Sequence, residues 1–596
     1  MSASPSIRTR RWRPVLVVAA VSLLTVPAAA GVLSSITGAF PTMGFSVTGK
    51  NGPFITEAVG RKVDPASVKS GDSLGFGGGS LGDFQSAIIR MPATAKAIET
   101  LIAQTDAVWP GVHLAPIKVH ILADGKYGPS ALPDGSIVVP IGFLVRAESD
   151  DEIAFVLAHE YSHLALNHFS RSPQMADQRR MITTIAQVYA AAVAISEIRA
   201  QKTGQQVNFT LADRKRVADA QARAALAKGQ LDWVLNNLIE PNWTRHQEDE
   251  ADALGYDLAS RQHYAAADGA GPAFGRLTAD DVARAALVAQ LQTQLHDSLN
   301  DAMAKDGQSA MQTGDPTALL NTFKKSLWEG VTDRVVRAAD SWLQAQHRPP
   351  DARQKGLGDY IRTAYHADPP LAPLQTKWLD GVRATSEFRI AKTAVYALQS
   401  AQKSRSDGDY PEALKSIKIA LATPYGPLPL FANEAGRIYR DAGDFKLADL
   451  AFTHADANLD QTLDGFRDHI LMLVRQGDYK HALQVIDLYQ SRSKTDKDFL
   501  PQLIRISFKL GQNEKALAYL DRCLALEDPP LRQSCSLSAY GPDDAEWDKL
   551  PQPTKDKLQR ISDREATQTS VAGGLGSWLK GLQTPAPGSD QAKSQN

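Results

Sequence analysis

The first folded part of the chain starts with hydrophobic residues spaced as in a helix and then alternates hydrophobic and polar positions. Residues 93–108 have the periodicity of a helix, whereas residues 117–121 alternate apolar side chains with Lys118 and His120. Strict alternation is typical of a half-buried strand, and the apolar run 136–140 predicts a second strand after a turn-rich segment. Because this run closes with proline, it is predicted to end a strand or to lie at a sheet edge.

Residues 150–166 combine an acidic start with helical spacing of apolar residues. Asp150 is predicted to cap this helix, and Asp151 and Glu152 fall in its first turn, where the helix dipole favours negative charge. The apolar positions that keep the helix buried are Ile153, Val156, Leu157, Leu164 and Leu166. Residues 211–383 are mainly helical in pattern, so the fold is expected to be mainly α with a small β-sheet.

The C-terminal third of the chain repeats one short motif. A glycine recurs four times and is followed each time, five residues later, by an alanine. The glycines are Gly408, Gly443, Gly477 and Gly511, and the alanines are Ala413, Ala448, Ala482 and Ala516. A glycine that turns one helix into the next, with an alanine that lets the two helices approach, is typical of tetratricopeptide repeats. Such repeats stack into an α-solenoid with concave surfaces that bind other chains.

The N-terminus differs from the rest of the chain. Four arginines precede the apolar run 15–26, which Pro27 and three alanines follow. A basic start, a short apolar run and a small-residue cleavage site describe a secretory signal peptide, and an uncleaved membrane anchor is the alternative. The net charge of −1 argues against a broad nucleic-acid surface, and membrane association is expected to be peripheral at most.

Composition and pattern divide the chain into five parts. A signal peptide, a flexible linker rich in Gly, Ser and Thr, a folded domain, the repeats and a C-terminal tail are predicted at residues 1–30, 31–92, 93–385, 386–530 and 531–596. The two cysteines, Cys523 and Cys535, lie near the end of the repeats. They either form a disulfide, as in many secreted proteins, or stay reduced, and the sequence leaves both open.

The helix at 150–166 contains the motif His159-Glu160-Tyr161-Ser162-His163. Positions four apart lie on one face of a helix and about 6 Å apart along its axis, so the two histidines can each point a nitrogen at the same Zn²⁺. The glutamate then lies beside the metal, where a carboxylate can act as general base on a zinc-bound water. The pentapeptide alone is only suggestive, because a buried helix can carry these residues by chance.

A third ligand is expected in the stretch "TRHQEDEADALG" of residues 244–255. Glu248 would complete a His₂Glu site with an open fourth position, and Asp252 can accept a hydrogen bond from the other nitrogen of a ligand histidine. A solvated acidic helix face is the alternative for this stretch. His168 lies about 140° round the helix from His163, so it is predicted to face elsewhere as a structural histidine.

With "DEIAFVLAHEYSHLALNH" and "TRHQEDEADALG", the sequence resembles the HtpX and CAAX-prenyl-protease class of zinc metallopeptidases. A secreted core followed by tetratricopeptide repeats is most similar to the periplasmic branch of that class, the β-barrel assembly-enhancing proteases. The resemblance covers roughly residues 95–530. It implies a gluzincin-type domain that binds one Zn²⁺ per chain through His159, His163 and Glu248, with Glu160 as the catalytic base.

The same resemblance implies that a later histidine and arginine approach the active site. In this sequence they correspond to His347 and Arg353, although Arg348 stands where the family has proline. The family also has an edge strand that pairs with extended substrates, and residues 136–139 occupy the corresponding position here.

The sequence therefore predicts a zinc-dependent endopeptidase of the periplasm, exported through its signal peptide, that cleaves unfolded or misassembled proteins in outer-membrane protein quality control. The repeats are expected to dock substrates or the outer-membrane assembly machinery, and no nucleic-acid partner is expected. The alternative is a non-proteolytic tetratricopeptide assembly factor or chaperone with a latent peptidase unit. A protease assay with and without a chelator distinguishes the two functions.

Overall fold

The structure is a computed structural model. It describes residues 45–60, 87–132, 134–171, 198–203, 206–211, 245–280, 282, 350–366, 374–541 and 546–568. The predicted signal peptide and His347 lie outside these residues. Within them the fold is mainly α with a small four-stranded sheet, which confirms the predicted fold class.

Internal contacts divide the chain into two compact units. The larger unit comprises residues 43–330 and 346–550. The smaller unit comprises residues 1–42, 331–345 and 551–596, and its described part is helical from residue 552 to residue 568. The larger unit contains all the elements that form the sheet, the candidate site and the helical repeats.

Four short strands form one sheet, and they are β1 Ile88–Ile89, β2 Val119–Leu122, β3 Ser130–Ala131 and β4 Ile137–Pro140. Their order in the sheet is β1-β2-β4-β3, in which β2 and β4 are parallel while β1 and β3 are antiparallel to their neighbours. The two strands predicted from the alternating and apolar patterns are β2 and β4, and both are confirmed. Because β4 is paired on both sides, the expectation that residues 136–139 form an edge strand is wrong. Among the described strands, β3 is the edge on this side.

The helices described in the first part of the larger unit include α1 Phe54–Ala58, α2 Pro92–Val108, α3 Ile141–Arg146, α4 Asp150–Ala165, α5 Arg245–Arg261, α6 Pro350–Tyr365 and α7 Lys377–Arg383. Between α4 and α5, an antiparallel pair of strands, β5 Ile198–Thr203 and β6 Gln206–Leu211, forms a separate two-stranded sheet. Both α2 and α4 were predicted from the sequence. Helix α2 starts at a proline, which is favourable there because the N–H that proline lacks would have no partner in the first turn.

The acidic first turn of α4 connects it to two other helices. Ser149, one residue before the predicted cap, is the N-cap residue, and its hydroxyl accepts a backbone N–H of the first turn. Asp150 instead accepts two backbone N–H groups at the start of α7. Asp151 accepts the N–H of Ala265, just before the helical residues 266–280. These buried carboxylates satisfy N-terminal N–H groups that have no partner within their own helices.

Residues 45–60 lie inside the predicted linker but are folded against the larger unit. Phe54 and Ile55 of α1 are buried, and the N–H of Ile55 donates to the Asp257 carboxylate of α5 over 2.8 Å. The hydroxyl of Tyr360, on α6, accepts the N–H of Phe54 and donates to Asp257. The helix spans only five residues in a region rich in Gly, Ser and Thr, and for this reason composition predicted a linker here.

Nine α-helices follow between residues 386 and 541, all of which the structure describes, and they are α8 Ser386–Ser406, α9 Tyr410–Leu421, α10 Pro429–Asp441, α11 Phe445–Ala457, α12 Leu463–Gln476, α13 Tyr479–Ser493, α14 Leu500–Lys509, α15 Asn513–Leu524 and α16 Pro529–Ser538. They pack largely as consecutive pairs, α8 on α9, α10 on α11, α12 on α13 and α14 on α15. This arrangement fits the helical repeat region that the glycine and alanine pattern predicts.

The repeated motif has a direct physical basis at each turn. The φ angles of the four glycines are positive, between +71° and +85°, a region that other residues rarely adopt. The four alanines are fully buried between paired helices. The aspartate after each of the first three glycines caps the next helix by accepting a backbone N–H. In the fourth repeat Gln512 takes this place and makes no side-chain cap.

One hydrophobic core continues across the boundary predicted at residue 385. Ile98 of α2 and Phe143 of α3 belong to the same cluster of buried residues as Val395 of α8. Glu387 of α8 accepts the N–H of Thr94 over 3.0 Å and so caps α2, whose own N-cap residue makes no side-chain hydrogen bond. The first repeat helix is thus packed directly onto the preceding elements.

The last part of the repeats contains a covalent cross-link. Cys523 of α15 and Cys535 of α16 form a disulfide, with their Cα atoms 6.4 Å apart. Helix α16 extends into the predicted tail 531–596, and helix α17, Gln552–Gln568, lies within that tail, so this part of it is helical. Across the described part of the chain, no helix combines the length and the apolar character that a bilayer span requires.

Candidate metal centre

Helices α4 and α5 approach each other closely where the candidate ligands lie. A Cβ atom added to Gly255 of α5 would lie 2.9 Å from the backbone nitrogen of His159. This close approach brings Glu248, near the start of α5, next to the two histidines of α4. All three are buried, since His159 is 8%, His163 0% and Glu248 2% exposed.

The ligand atoms of these three side chains converge on one point. The Nε2 atoms of His159 and His163 are 3.1 Å apart. The Glu248 carboxylate lies 3.7 Å from Nε2 of His159 and 4.0 Å from Nε2 of His163. A tetrahedral ion bound about 2.0–2.1 Å from each ligand atom would hold such atoms roughly 3.3 Å apart. The structure therefore groups the three predicted ligands at distances that suit a metal ion.

Asp252 orients His159, as its position four residues after Glu248 suggested. Its carboxylate lies 3.0 Å from Nδ1 of His159. Burial alone would raise the pKa of Asp252, but the charge of Arg353 and hydrogen bonds from Arg353 and His159 lower it to about 2. The group is therefore a carboxylate whose negative charge, 3.0 Å away, favours the proton on Nδ1 of His159 and leaves the lone pair on Nε2 for a metal.

Arg353 of α6 binds the two carboxylates of α5. Its Nε and Nη2 atoms lie 2.9 and 2.7 Å from the Asp252 carboxylate, and its Nη1 atom lies 2.9 Å from Glu248. The guanidinium is buried and lies over the ring of Phe274. Arg353 thus reaches the predicted site, where it contacts the side chains that hold and orient the ligands.

The helical wheel predicted that His168 faces away from His163, but in the structure the two side chains are in contact. Helix α4 ends at Ala165, and Asn167 adopts a left-handed conformation with φ of +50°, which reverses the chain. The Nδ1 atoms of His168 and His163 are consequently 2.8 Å apart. The prediction failed because it continued the helix past its actual end.

The partners of His168 determine which nitrogen of His163 carries its proton. Nε2 of His168 lies 3.2 Å from the Glu250 carboxylate, which accepts a hydrogen bond from Nε2–H. Nδ1 of His168 is then the acceptor for the Nδ1 proton of His163, so Nε2 of His163 keeps its lone pair. Burial, with the nearby His159, His168 and Arg353, lowers the pKa of His163 well below its ordinary value and favours the neutral ring.

Glu160 is held by the edge strand of the sheet. Its Oε2 atom accepts the backbone N–H of Ala131 in β3 over 2.7 Å, and its Oε1 atom lies 4.0 Å from Nε2 of His159. In an antiparallel pair the N–H and C=O of one residue point to the same side, so both groups of Ala131 face the site. The sequence did not predict this contact, because a two-residue strand has no recognisable pattern.

The residues present fit a divalent cation. With the proton on Nδ1 of both rings, the two Nε2 lone pairs are directed at one point, an arrangement that a positive charge between them stabilises. Among the described residues, the carboxylates of Glu160, Glu248 and Asp252 converge here against the guanidinium of Arg353, and these four side chains together have an excess of negative charge. A cation bound by the two imidazoles and Glu248 would balance it.

Comparison with known proteins agrees with this geometry. Residues 126–300 match the model of Peptidase family M48. The matched range includes the His-Glu-x-x-His motif and Glu248 and ends before Arg353. A protein of Vibrio cholerae serotype O1, named "Putative beta-barrel assembly-enhancing protease", is 28% identical over 127 residues, which are 20% of this chain and 26% of that protein. The similarity to this relative thus spans about a quarter of its length.

Proposed function

We propose that this chain, which carries a domain of peptidase family M48, is a zinc-dependent endopeptidase of the cell envelope that cleaves unfolded or misassembled proteins. The observation that carries the proposal is the convergence of His159, His163 and Glu248, with the Glu160 carboxylate beside them. Two imidazoles and one carboxylate are a ligand set of catalytic zinc sites, which keep a fourth position open for water or substrate.

The roles of the side chains in the reaction follow from their positions. Zinc held by the three ligands would supply a Lewis acid that polarises a scissile carbonyl and makes a water molecule acidic near neutral pH. Glu160 takes a proton from that water and delivers it to the leaving amine. The N–H of Ala131 keeps the Glu160 carboxylate aimed at the site during both transfers. Arg353 keeps Asp252 charged, because it lowers the pKa of that carboxyl, and it holds both Asp252 and Glu248 in place.

Substrate would bind in an extended conformation along β3. The carbonyl of Ala131 points to the side of the site and can accept an N–H from a substrate backbone. Main-chain pairing of this kind depends little on side chains and therefore tolerates many sequences. This tolerance suits an enzyme that removes unfolded chains.

Two features support a location in the cell envelope. The Cys523–Cys535 disulfide suits an oxidising compartment such as the periplasm. The relative from Vibrio cholerae is named for β-barrel assembly. We therefore include outer-membrane protein quality control in the proposal, with the repeats docking substrates or the assembly machinery.

The burial of the site favours a second function, a non-proteolytic assembly factor or chaperone with a latent peptidase unit. His163 and Glu248 are almost inaccessible, as an inactive resting state would require. Cleavage of an unfolded protein, measured with and without a chelator, distinguishes the two. Cleavage that the chelator stops and added zinc restores supports the peptidase, whereas no cleavage in any condition supports the latent form.

Glu160→Gln tests the proposed mechanism. The variant keeps the shape of the side chain but lacks a base, so cleavage should fall by about 10²–10⁴-fold while zinc content stays at the wild-type value. Glu148→Gln is the matched control, because Glu148 precedes α4 and its side chain is 69% exposed. Cleavage by Glu160→Gln at the wild-type rate would show that Glu160 is not the base.

A further inference from the structure

A second group of potential metal ligands lies in the repeats, at the meeting point of α11, α12 and α13. Asp449 is on α11, His469 on α12 and His481 on α13. The Oδ1 atom of Asp449 lies 2.9 Å from Nε2 of His469 and 3.4 Å from Nδ1 of His481. The three potential ligand atoms all lie within 4.8 Å of one another.

The buried histidine of this group is oriented in the same way as a metal ligand. Nδ1 of His469 lies 2.7 Å from the Asp456 carboxylate, and the other oxygen of Asp456 accepts the Gln461 side chain over 2.8 Å. Asp456 therefore accepts a hydrogen bond from Nδ1–H of His469, and this contact directs Nε2 of the ring at Asp449. A carboxylate that fixes the far nitrogen of a ligand histidine is the usual outer partner in metal sites.

The remaining two side chains leave one side of the group open. The side chains of Asp449 and His481 are 33% and 30% exposed, whereas that of His469 is fully buried. An ion bound here would therefore have three protein ligands and access to solvent for a fourth. Two imidazole nitrogens directed at one carboxylate match the ligand preference of Zn²⁺.

We propose that Asp449, His469 and His481 form a second zinc site, which joins three successive helices of the repeats. The site is separate from the candidate catalytic centre and does not depend on peptidase activity. Because its ligands come from α11, α12 and α13, a bound ion links two adjacent helix pairs and stabilises their packing. Repeat proteins depend on such contacts between neighbours for their stability.

Counting zinc equivalents in single variants of the intact chain tests this proposal. The wild-type protein should bind two equivalents, and His481→Ala should bind one. His454→Ala is the matched control, because His454 is exposed on α11 and should leave both equivalents in place. Glu248→Ala should remove the other equivalent, so a failure at one site can be told apart from a failure at the other.

A thermal measurement provides the second test. In the Glu248→Ala variant, zinc should raise the midpoint temperature of unfolding. Asp449→Asn preserves the shape of the side chain but weakens the ligand. The double variant should therefore show no zinc-dependent rise. Absence of a zinc-dependent shift in Glu248→Ala would contradict the proposal, as would equal zinc content in His481→Ala and His454→Ala. In either case His469 has a structural role and hydrogen-bonds to Asp456 and Asp449 through its two ring nitrogens.

Discussion

The two ring nitrogens of His163 have different partners, and this arrangement fixes the tautomer whose Nε2 lone pair can bind a metal. Nδ1 is 2.8 Å from His168, whose other nitrogen contacts Glu250, and Glu250 lies 2.8 Å from the exposed His246. This chain of contacts fixes the orientation of the buried imidazole of His163. His159 has a simpler arrangement, with Asp252 as its single outer partner.

His168→Ala is predicted to weaken zinc binding at the candidate centre by about 10–100-fold, because His163 loses the acceptor that fixes its tautomer. Competition with a chelator of known affinity measures the change. His113→Ala is the control, since its side chain is 61% exposed and remote in sequence from the motif. Equal zinc affinity in both variants would mean that His168 is only a packing residue.

Arg353→Ala is predicted to destabilise the metal-free protein by about 3–5 kcal/mol, because it leaves two buried carboxylates without their counter-charge. Saturating zinc should recover part of this loss, since the cation lies against Glu248. Urea unfolding with and without zinc measures both effects. Arg362→Ala is the control on the same helix, because Arg362 is 59% exposed and pairs with the exposed Asp359. The same free energy of unfolding in both variants would contradict the role of Arg353 as the counter-charge of the two buried carboxylates.

At the residue scale the sequence predicted which candidate ligands the structure brings together, but not the residues that support them. His159, His163, Glu248 and Asp252 follow from spacings of four on helices, which fix side-chain positions locally. His168 and Ala131 reach the site through a left-handed turn and a two-residue strand. Both depend on tertiary packing, so helical periodicity could not predict them.

At the scale of elements, the site depends on how closely α4 and α5 cross. Glu248 lies two helical turns before Gly255, the point of closest approach, and Asp252 lies one turn before it. A small displacement of α5 would therefore move both carboxylates away from the histidines. The glycine is needed here for space, since its φ angle lies outside the positive range.

Gly255→Ala should separate the two helices and reduce both stability, by about 1–3 kcal/mol, and zinc affinity. Gly358→Ala is the control within α6, because the nearest neighbour of its added Cβ is the Arg362 side chain at 3.6 Å, and it should stabilise by up to ~1 kcal/mol. Zinc titration and thermal unfolding of both variants measure the effects. Wild-type zinc affinity in Gly255→Ala would show that the crossing distance does not position Glu248.

Elements with strong local signals were predicted well, and those made by distant contacts were not. The repeat turns follow from glycine conformation and aspartate caps, so their positions could be derived residue by residue. The central place of β4 in the sheet depends on β3, which is only two residues long. The folding of α1 depends on Asp257 and Tyr360, which are more than 200 residues further along the chain.

At the scale of the whole molecule, the elements around the candidate metal centre and the repeats of the larger unit share one core. Val395 and Ile417 of the first repeat helices are buried in the same cluster as Ile98 and Leu157. A division into separate domains at residue 385 therefore does not correspond to a gap in packing. The sequence predicted a metallopeptidase domain and a repeat region as separate parts. It could not predict their shared core, because an apolar residue in the sequence does not indicate which distant residues it will contact.

Zinc content and cleavage, measured together on Glu248→Ala, test the central claim most directly. The claim is that His159, His163 and Glu248 hold one ion that peptide-bond cleavage requires. We predict that the variant contains one zinc equivalent less than the wild type and no longer cleaves an unfolded protein, while Glu148→Ala retains both properties. Full zinc content with wild-type cleavage in Glu248→Ala would contradict the account.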